Sequence, residues 1–552
     1  MAEETKKETI THTTNLEEAK KKFSHLKKYV EELEKKGKKP NFEPELTRDM
    51  GKIDYPNVIY PVGDPIFIHV YREPAQETQY VVIEPRLTEE EKKLYEQSID
   101  KLVDIAYKEP VPQKVTEIGE VLLKLLSEVI EVTNNPQKIN KNLFSLTTKI
   151  QATKTQYEKI KYFLIRNRVG YGKLEPLFHD PNLEDIHCTG VGVVSSVHKI
   201  FGMVYTNIVF ADDDELNKYI IEVTERVERP TSDRQSVVDA IMPDGSRANF
   251  IYGRDVSLEG SSFTVRKFSK VPVSVTQLIN WNTISAELAA YIWIALENGM
   301  NLFICGETAS GKTTTLNALA TFIKPDAKVY TVENTPEVTM PHDIWQHLVT
   351  REAGKDSDIT YLDLLIAALR SRPNYIIVGE IRGAEGGIAF QAMQTGHPVL
   401  STFHAGNVAT MIQRLTGDPI NVPIAFIDNL NLSLIQQAVY RGNKFVRRVL
   451  SLTELERYYA PADKVVTREV FTWNPVSDKL MFRGLFNSFI LEQKIAKILG
   501  YDDPRQIYGE MNRRARILKK MTEEQIFNYF DVWKIIRDYY NGGEETLPFK
   551  VD

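Results

Sequence analysis

The sequence predicts an α/β protein whose C-terminal half carries a mostly parallel sheet with crossover helices, preceded by an α+β domain and a helical N-terminal region. Three observations predict it. Beyond residue 278 the short apolar runs MNLFIC, KVYTVE, NYIIVGE and VLSTFH alternate with helical stretches, the order that builds parallel strands joined by crossovers. Residues 169–268 instead hold paired β-rich runs around a single helix. Between the two regions KFSKVPVSVTQ, Lys267 to Gln277, is short, polar and proline-bearing, so a linker is expected at 269–277.

Each element follows from local pattern. Residues 1–50 are rich in Lys and Glu, and Phe23, Leu26, Val30 and Leu33 form one thin helical stripe before GKKP breaks it. This charged helical appendage is read either as a solvated, partly mobile arm or as a docking helix for a partner. Residues 51–168 are expected to form a helical subdomain: Leu122, Leu125, Leu126, Val129 and Ile130 share one face, and Tyr157, Ile160 and Leu164 another. Within 169–268, VVSSVHKIFGMVYTNIVF reads as a hairpin-like pair. Asp212 to Asp214 then open a helix where carboxylates suit the helix dipole, and Asp244-Gly245 separates two β-rich arms as a tight turn should. The parallel-sheet core is placed at 278–487, and 488–552 reads as a helical C-terminal extension with no internal repeat in the chain.

Bulk properties exclude several classes. At 552 residues the chain is long enough for three or four domains at roughly 100 to 200 residues each. Hydrophobic content of 42% beside 26% charged residues excludes general disorder. A net charge of −6 supplies no global attraction to nucleic acid. Only Cys188 and Cys305 are present, too few for a disulfide framework or a thiolate zinc site. The opening MAEETKKETITHTT lacks the apolar segment of a secretory leader, and the longest apolar run, Leu288 to Leu296, is too short to span a bilayer. A cytoplasmic protein is expected, meeting the inner face of the membrane peripherally, through partners.

The strongest chemical signal is ICGETASGKTTTLNAL, Ile304 to Leu319. Gly306, four residues, Gly311, Lys312 and Thr313 make the GxxxxGK[ST] loop, with an apolar strand before it and a helix after it. In that context the backbone N–H groups of Gly306, Glu307, Thr308, Ala309, Ser310, Gly311, Lys312, Thr313 and Thr314 and the helix N-terminus converge on phosphate oxygens. Lys312 would reach the β- and γ-phosphates and the Thr313 hydroxyl would ligate Mg²⁺, so MgATP is the expected nucleotide. Glycine at 306 and 311 is expected because the backbone must approach the ligand closely.

Open parallel sheets bind ligands at the carboxyl ends of their strands. KVYTVE ends in Glu333, NYIIVGE in Glu380 and VLSTFH in His404. Glu380 can orient or deprotonate an attacking water, or it can simply pair with Arg382. Glu333 can assist with the metal, or it can cap a turn. His404 can sense the γ-phosphate or be structural.

GETASGKTT, YTVENTPEV, RSRPNYIIVGEIRG and TGHPVLSTFHAGN, in this order, resemble the Walker A loop, acidic box, Gly-Glu form of Walker B and His box of the type II and type IV secretion ATPases. YGKLEPLFHDPNLEDIHCTG and MPDGSRANF are similar to that superfamily's N-terminal domain, so the resemblance runs from about Gly170 to Leu455. Within the superfamily the chain is most similar to the archaeal branch and to its archaellum motor ATPases. The resemblance implies a RecA-like P-loop ATPase core and a ring-shaped homohexamer. It also implies catalytic importance for Glu333 and Glu380, with Arg247, Arg254 and Arg266 as candidate arginine fingers. Implied partners are a polytopic membrane platform protein and accessory cytosolic motor proteins, with no nucleic acid expected. VGVVSSVHKIFGMVYTN departs from the more basic hairpins of archaeal pilus ATPases, and the four-cysteine metal module of many bacterial relatives is missing.

The function so expected is hydrolysis of MgATP to drive assembly, and rotation, of the archaellum. An archaeal type IV pilus or secretion ATPase is the alternative. A nucleic-acid translocase on the same core would show strong, salt-sensitive binding to DNA or RNA.

Overall fold

A computed structural model describes residues 15–110, 112, 115–134, 149–268, 271–351, 357–441 and 444–551. Two compact units divide at Phe268/Ser269, where the expected linker 269–277 begins. Residues 1–14 of the appendage and 269–270 of the linker lie outside the described residues.

In the first unit the strands are β1 (Asn41–Phe42), β2 (Asn57–Gly63), β3 (Ile66–Tyr71), β4 (Gln79–Ile83), β5 (Ile130–Val132), β6 (Ile150–Ala152), β7 (Leu183–Cys188), β8 (Gly192–His198), β9 (Gly202–Phe210), β10 (Val237–Ile241), β11 (Arg247–Ile251) and β12 (Ser262–Arg266). Ten of them form one sheet in the order β1-β2-β3-β4-β9-β8-β7-β12-β11-β10, and β5 pairs with β6 apart from it. The expected hairpins are β8–β9 and β10–β11, the latter turning at Asp244-Gly245 with Gly245 at φ 90°. Asp212 caps the helix Asp213–Arg226, its side chain accepting from Glu215 N at 2.8 Å.

Two expectations change here. Residues 51–168 are helical only from Glu89 onward, because Asn57 to Ile83 form three antiparallel strands of the large sheet. VIYPVG and IFIHVY are buried along almost their whole length, so they read as continuous apolar runs rather than as alternating ones. One face packs into the sheet's main core with Tyr60, Ile68 and Val70; the other presents Ile59, Phe67 and Ile83 to Leu26 and Val30 of the N-terminal helix Ser24–Lys35. The described part of the appendage thus packs on this chain's own sheet rather than standing off as a solvated arm. From Glu89 to Arg168 the helices share a small core containing Leu125, Leu126, Val129, Ile160 and Leu164, the faces read from the sequence.

The second unit contains β13 (Leu302–Cys305), β14 (Val329–Glu333), β15 (Trp345–Val349), β16 (Tyr375–Glu380), β17 (Val399–Phe403), β18 (Leu432–Arg441), β19 (Lys444–Tyr459), β20 (Lys464–Asn474) and β21 (Lys479–Phe482). Their order is β15-β14-β16-β17-β13-β18-β19-β20-β21. From β15 to β18 every pairing is parallel; β18 to β21 then pair antiparallel. This is the RecA-like α/β arrangement. The apolar run Leu288 to Leu296 lies in the helix Ala286–Glu297, which is buried on every side, as a helix apolar all round must be. Among the described residues no helix is long and apolar enough to cross a membrane.

The helices after Ser488 belong to the same core. Met511, Leu518, Val532 and Ile536 share one hydrophobic cluster with the helix Ala286–Glu297 and with Leu302 and Ile304 of β13. They are tied in by Glu454 on β19, a fully buried carboxylate that accepts from Tyr291 Oη at 2.6 Å, Ser488 Oγ at 2.5 Å and Phe489 N at 2.8 Å. These donors fill its acceptors at the mouth of a helix, the condition under which a buried carboxyl is tolerated.

Candidate active site

The C-terminal ends of β13, β14, β16 and β17 bring the sequence-identified residues of the second unit to one edge of the sheet. Between β13 and the helix Lys312–Ala320 the chain folds as a tight loop. Ala309 has φ 61° and Gly311 φ 89°, the alternation that turns successive N–H groups toward one side. The loop carries its own internal bonds. Glu307 O accepts from Ser310 Oγ at 2.8 Å and from Lys312 Nζ at 3.0 Å, so the lysine folds over the mouth where a phosphate would draw it away. Gly306 N donates to Phe403 O at 3.2 Å, fixing the loop to β17. Thr313 and Thr314 follow in the first helical turn, whose N–H groups have no acceptor within the helix.

Glu380 closes β16, where a register shift between Val378 and Glu380 turns the strand end. Its Oε2 accepts from Arg382, so the pairing considered in the sequence is present. Its Oε1 is buried without a hydrogen-bond partner, although His404 Nε2 lies 3.0 Å away. The contact therefore has the separation of an ion pair without the alignment of a hydrogen bond. Burial, followed by the charge of Lys312, holds the His404 imidazole below its usual pKa, while Glu380 pulls the other way. Electrostatics thus link the loop lysine, the β16 acid and the β17 histidine.

Glu333, at the end of β14, is 2% exposed and fully engaged. Oε1 accepts from Glu337 N and Val338 N, both at 2.9 Å, and Oε2 pairs with His347 Nε2 at 2.7 Å. His347 lies on β15 opposite Thr331, so it reaches Glu333 diagonally across the parallel pair. Gly379 makes room for this acid: a Cβ there would lie 3.1 Å from Glu333 Cγ. Sequence reading missed His347, a lone histidine in WQHLV whose only signal is strand register.

The three candidate arginines belong to the first unit. Arg247 on β11 and Arg266 on β12 stand directly opposite each other and are exposed, a like-charged cross-strand pair. Arg254, in the loop after β11, donates to Asp213 Oδ1 at 3.1 Å. On its other side Arg266 stands opposite Asp185 of β7, whose carboxyl group burial pushes up and the charge of Arg266 partly holds down.

For Mg²⁺, the first helical turn offers the hydroxyl of Thr313, the kind of single protein donor that holds this ion together with nucleotide phosphates and water. Among the described residues no group of three or more His, Cys, Asp or Glu side chains forms a metal cage.

Residues 174–441 match the model of the family described as "Type II/IV secretion system protein". An uncharacterized protein of Methanocaldococcus jannaschii is 52% identical over 548 residues, 98% of this chain and 100% of that protein. The type IV secretion system protein PtlH of Bordetella pertussis is 35% identical over 130 residues, 23% of this chain and 38% of its own. Among solved structures, the Legionella pneumophila ATPase DotB is 20% identical and is aligned over 66% of this chain and 94% of that one, with a TM-score of 0.37.

Proposed function

Because this chain belongs to the type II/IV secretion system protein family, we propose that it is an ATP-hydrolysing motor that drives assembly and rotation of the archaellum. The observation that carries the catalytic part is Glu380 Oε1, a buried acceptor without a partner at the strand end beside the phosphate loop. Such an atom is built to take a proton. A water held there attacks the terminal phosphorus, the bond to the β-phosphate oxygen breaks, ADP leaves, and the water's proton passes to Glu380. Lys312 and the loop amides neutralise the phosphate charge, and His404, whose Nε2 lies 3.0 Å from Glu380 Oε1, sets the surroundings of the acid. When bound with nucleotide, Mg²⁺ at Thr313 would draw off charge developing on the β- and γ-phosphate oxygens. Glu333 organises the segment 334–338 and shares its charge with His347.

The Arg247–Arg266 pair supplies the positive charge that a transferred phosphoryl group requires, and in a homohexamer such arginines complete the site. The rest of the machine is a polytopic membrane platform protein and accessory cytosolic motor proteins, through which the ATPase works at the inner membrane face. The motif set supports an ATPase of the superfamily, and the resemblance to the archaeal branch is what favours the archaellum over a pilus or secretion role.

The test is replacement of the chromosomal gene by the Lys312→Ala allele, scoring swimming, filaments and secretion separately. Loss of both swimming and archaellum filaments is expected. Intact archaella with missing pili or secreted proteins would reassign the motor, and a wild-type phenotype in all three would overturn the reading.

A further inference from the structure

A phosphate loop works only if its N–H groups face the ligand, and that requires its carbonyls to face away and to find donors there. In this protein two of those donors come from one hairpin, β18–β19. Gln436 on β18 is 1% exposed; its Nε2 donates to Ser310 O at 2.7 Å, and its Oε1 accepts from Thr315 Oγ1 at 2.7 Å. Arg447 on β19 donates from Nε to Ala309 O at 3.0 Å. The register of β18 on β19 shifts between Ile435 and Gln436, where Leu450 of β19 is passed over, so the pairs beyond it, Gln436 with Val449 and Ala438 with Arg447, are set by this bulge.

The glycines of the loop record the same closeness from behind. A Cβ on Gly306 would lie 2.2 Å from Gln436 O, and one on Gly311 would lie 3.0 Å from Arg447 Cδ and 3.1 Å from Gln436 Nε2. Both glycines are therefore needed by the hairpin that backs the loop as well as by the phosphate in front of it. Ala309, whose carbonyl Arg447 holds, is itself in the left-handed region at φ 61°, a conformation that a non-glycine residue keeps only when its surroundings fix it.

Resting on the reading of this loop as the nucleotide site, we infer that Gln436 and Arg447 are positioning residues for ATP. They pin the Ser310 and Ala309 carbonyls outward and so keep the loop amides and Lys312 aimed at the triphosphate. Neither residue performs the chemistry. Their loss weakens nucleotide binding and leaves the chemical step of bound ATP largely intact.

The test uses the full-length protein with ATP for turnover and ATPγS for binding. Arg447→Ala should raise both KM for ATP and Kd for ATPγS by roughly tenfold to a hundredfold, with kcat changing less than about threefold, and Arg447→Lys should recover part of the loss. Gln436→Glu keeps the volume and the acceptor for Thr315 but turns a carboxylate toward Ser310 O. It should weaken ATPγS binding at least as much as Arg447→Ala and, because it buries a carboxylate against a carbonyl oxygen, lower the melting temperature as well; Arg447→Ala, at a half-buried position, should keep the melting temperature without nucleotide within about 3 °C of wild type. Lys312→Ala is the internal standard. If it loses binding while both hairpin variants keep KM and Kd within about twofold of wild type, the positioning role is overturned and the nucleotide site stands. If Lys312→Ala also binds normally, the site itself is wrong and the positioning role falls with it.

Discussion

Two adjacent parallel strands, β14 and β16, each end in a glutamate, yet the two carboxylates are bonded differently. Glu333 is buried, and its oxygens are held by two backbone N–H groups and His347. Glu380 is bound to Arg382 through one oxygen and keeps the other buried without a hydrogen bond. A carboxylate whose acceptors are filled is a strut. One with a vacant acceptor is available for proton transfer. Position at a strand end therefore identifies candidates, and hydrogen-bond accounting separates them.

The largest expected effect breaks or upholds this contrast directly. Glu380→Gln should bind ATP with near wild-type affinity and hydrolyse it about a hundred- to ten-thousandfold more slowly in a steady-state phosphate-release assay. Undiminished turnover would assign proton transfer elsewhere. Next in size, Glu333→Ala strands two N–H groups and His347, and should lower stability by about 2 to 5 kcal/mol in denaturant titrations. If instead the fold keeps its stability while kcat falls as far as in Glu380→Gln, the two acids share a role and the contrast disappears.

The smallest effect sharpens the environment of Glu380. The His404 imidazole should titrate below the ordinary 6.5, as followed by its ring proton shifts in NMR, because burial and then Lys312 disfavour its charged form. In Lys312→Ala the midpoint should move upward, and a fixed midpoint would show that the lysine does not reach it. The folded protein holds this proton less tightly than the unfolded chain does. The group's effect on stability is accordingly adverse below the unfolded pKa and vanishes above it.

What could be read from the sequence was what the chain encodes locally. GETASGKTT carries its glycines, lysine and hydroxyls within nine residues, and the strand-end positions of Glu333, Glu380 and His404 follow from short apolar runs. Gln436 and Arg447 could not be found that way. They lie more than a hundred residues beyond the loop they hold, on strands that become its neighbours only through the sheet order. The stretch from Asn57 to Ile83 was misassigned to a helical subdomain because its strands are covered on both faces, which erases the alternation that marks a half-exposed strand. The Asp244-Gly245 hairpin was legible because two adjacent residues specify the turn.

Glu454 makes the helices beyond Ser488 more than an appended module. Burial pushes its carboxyl group up, and three donors are what make its place in the interior tolerable. Two of the three come from Ser488 and Phe489. A chain stopping at the last strand would leave this buried acid with Tyr291 alone of its three donors, and the smallest excised piece able to stand alone should reach at least to Gly542, where the last helix packed in that core ends.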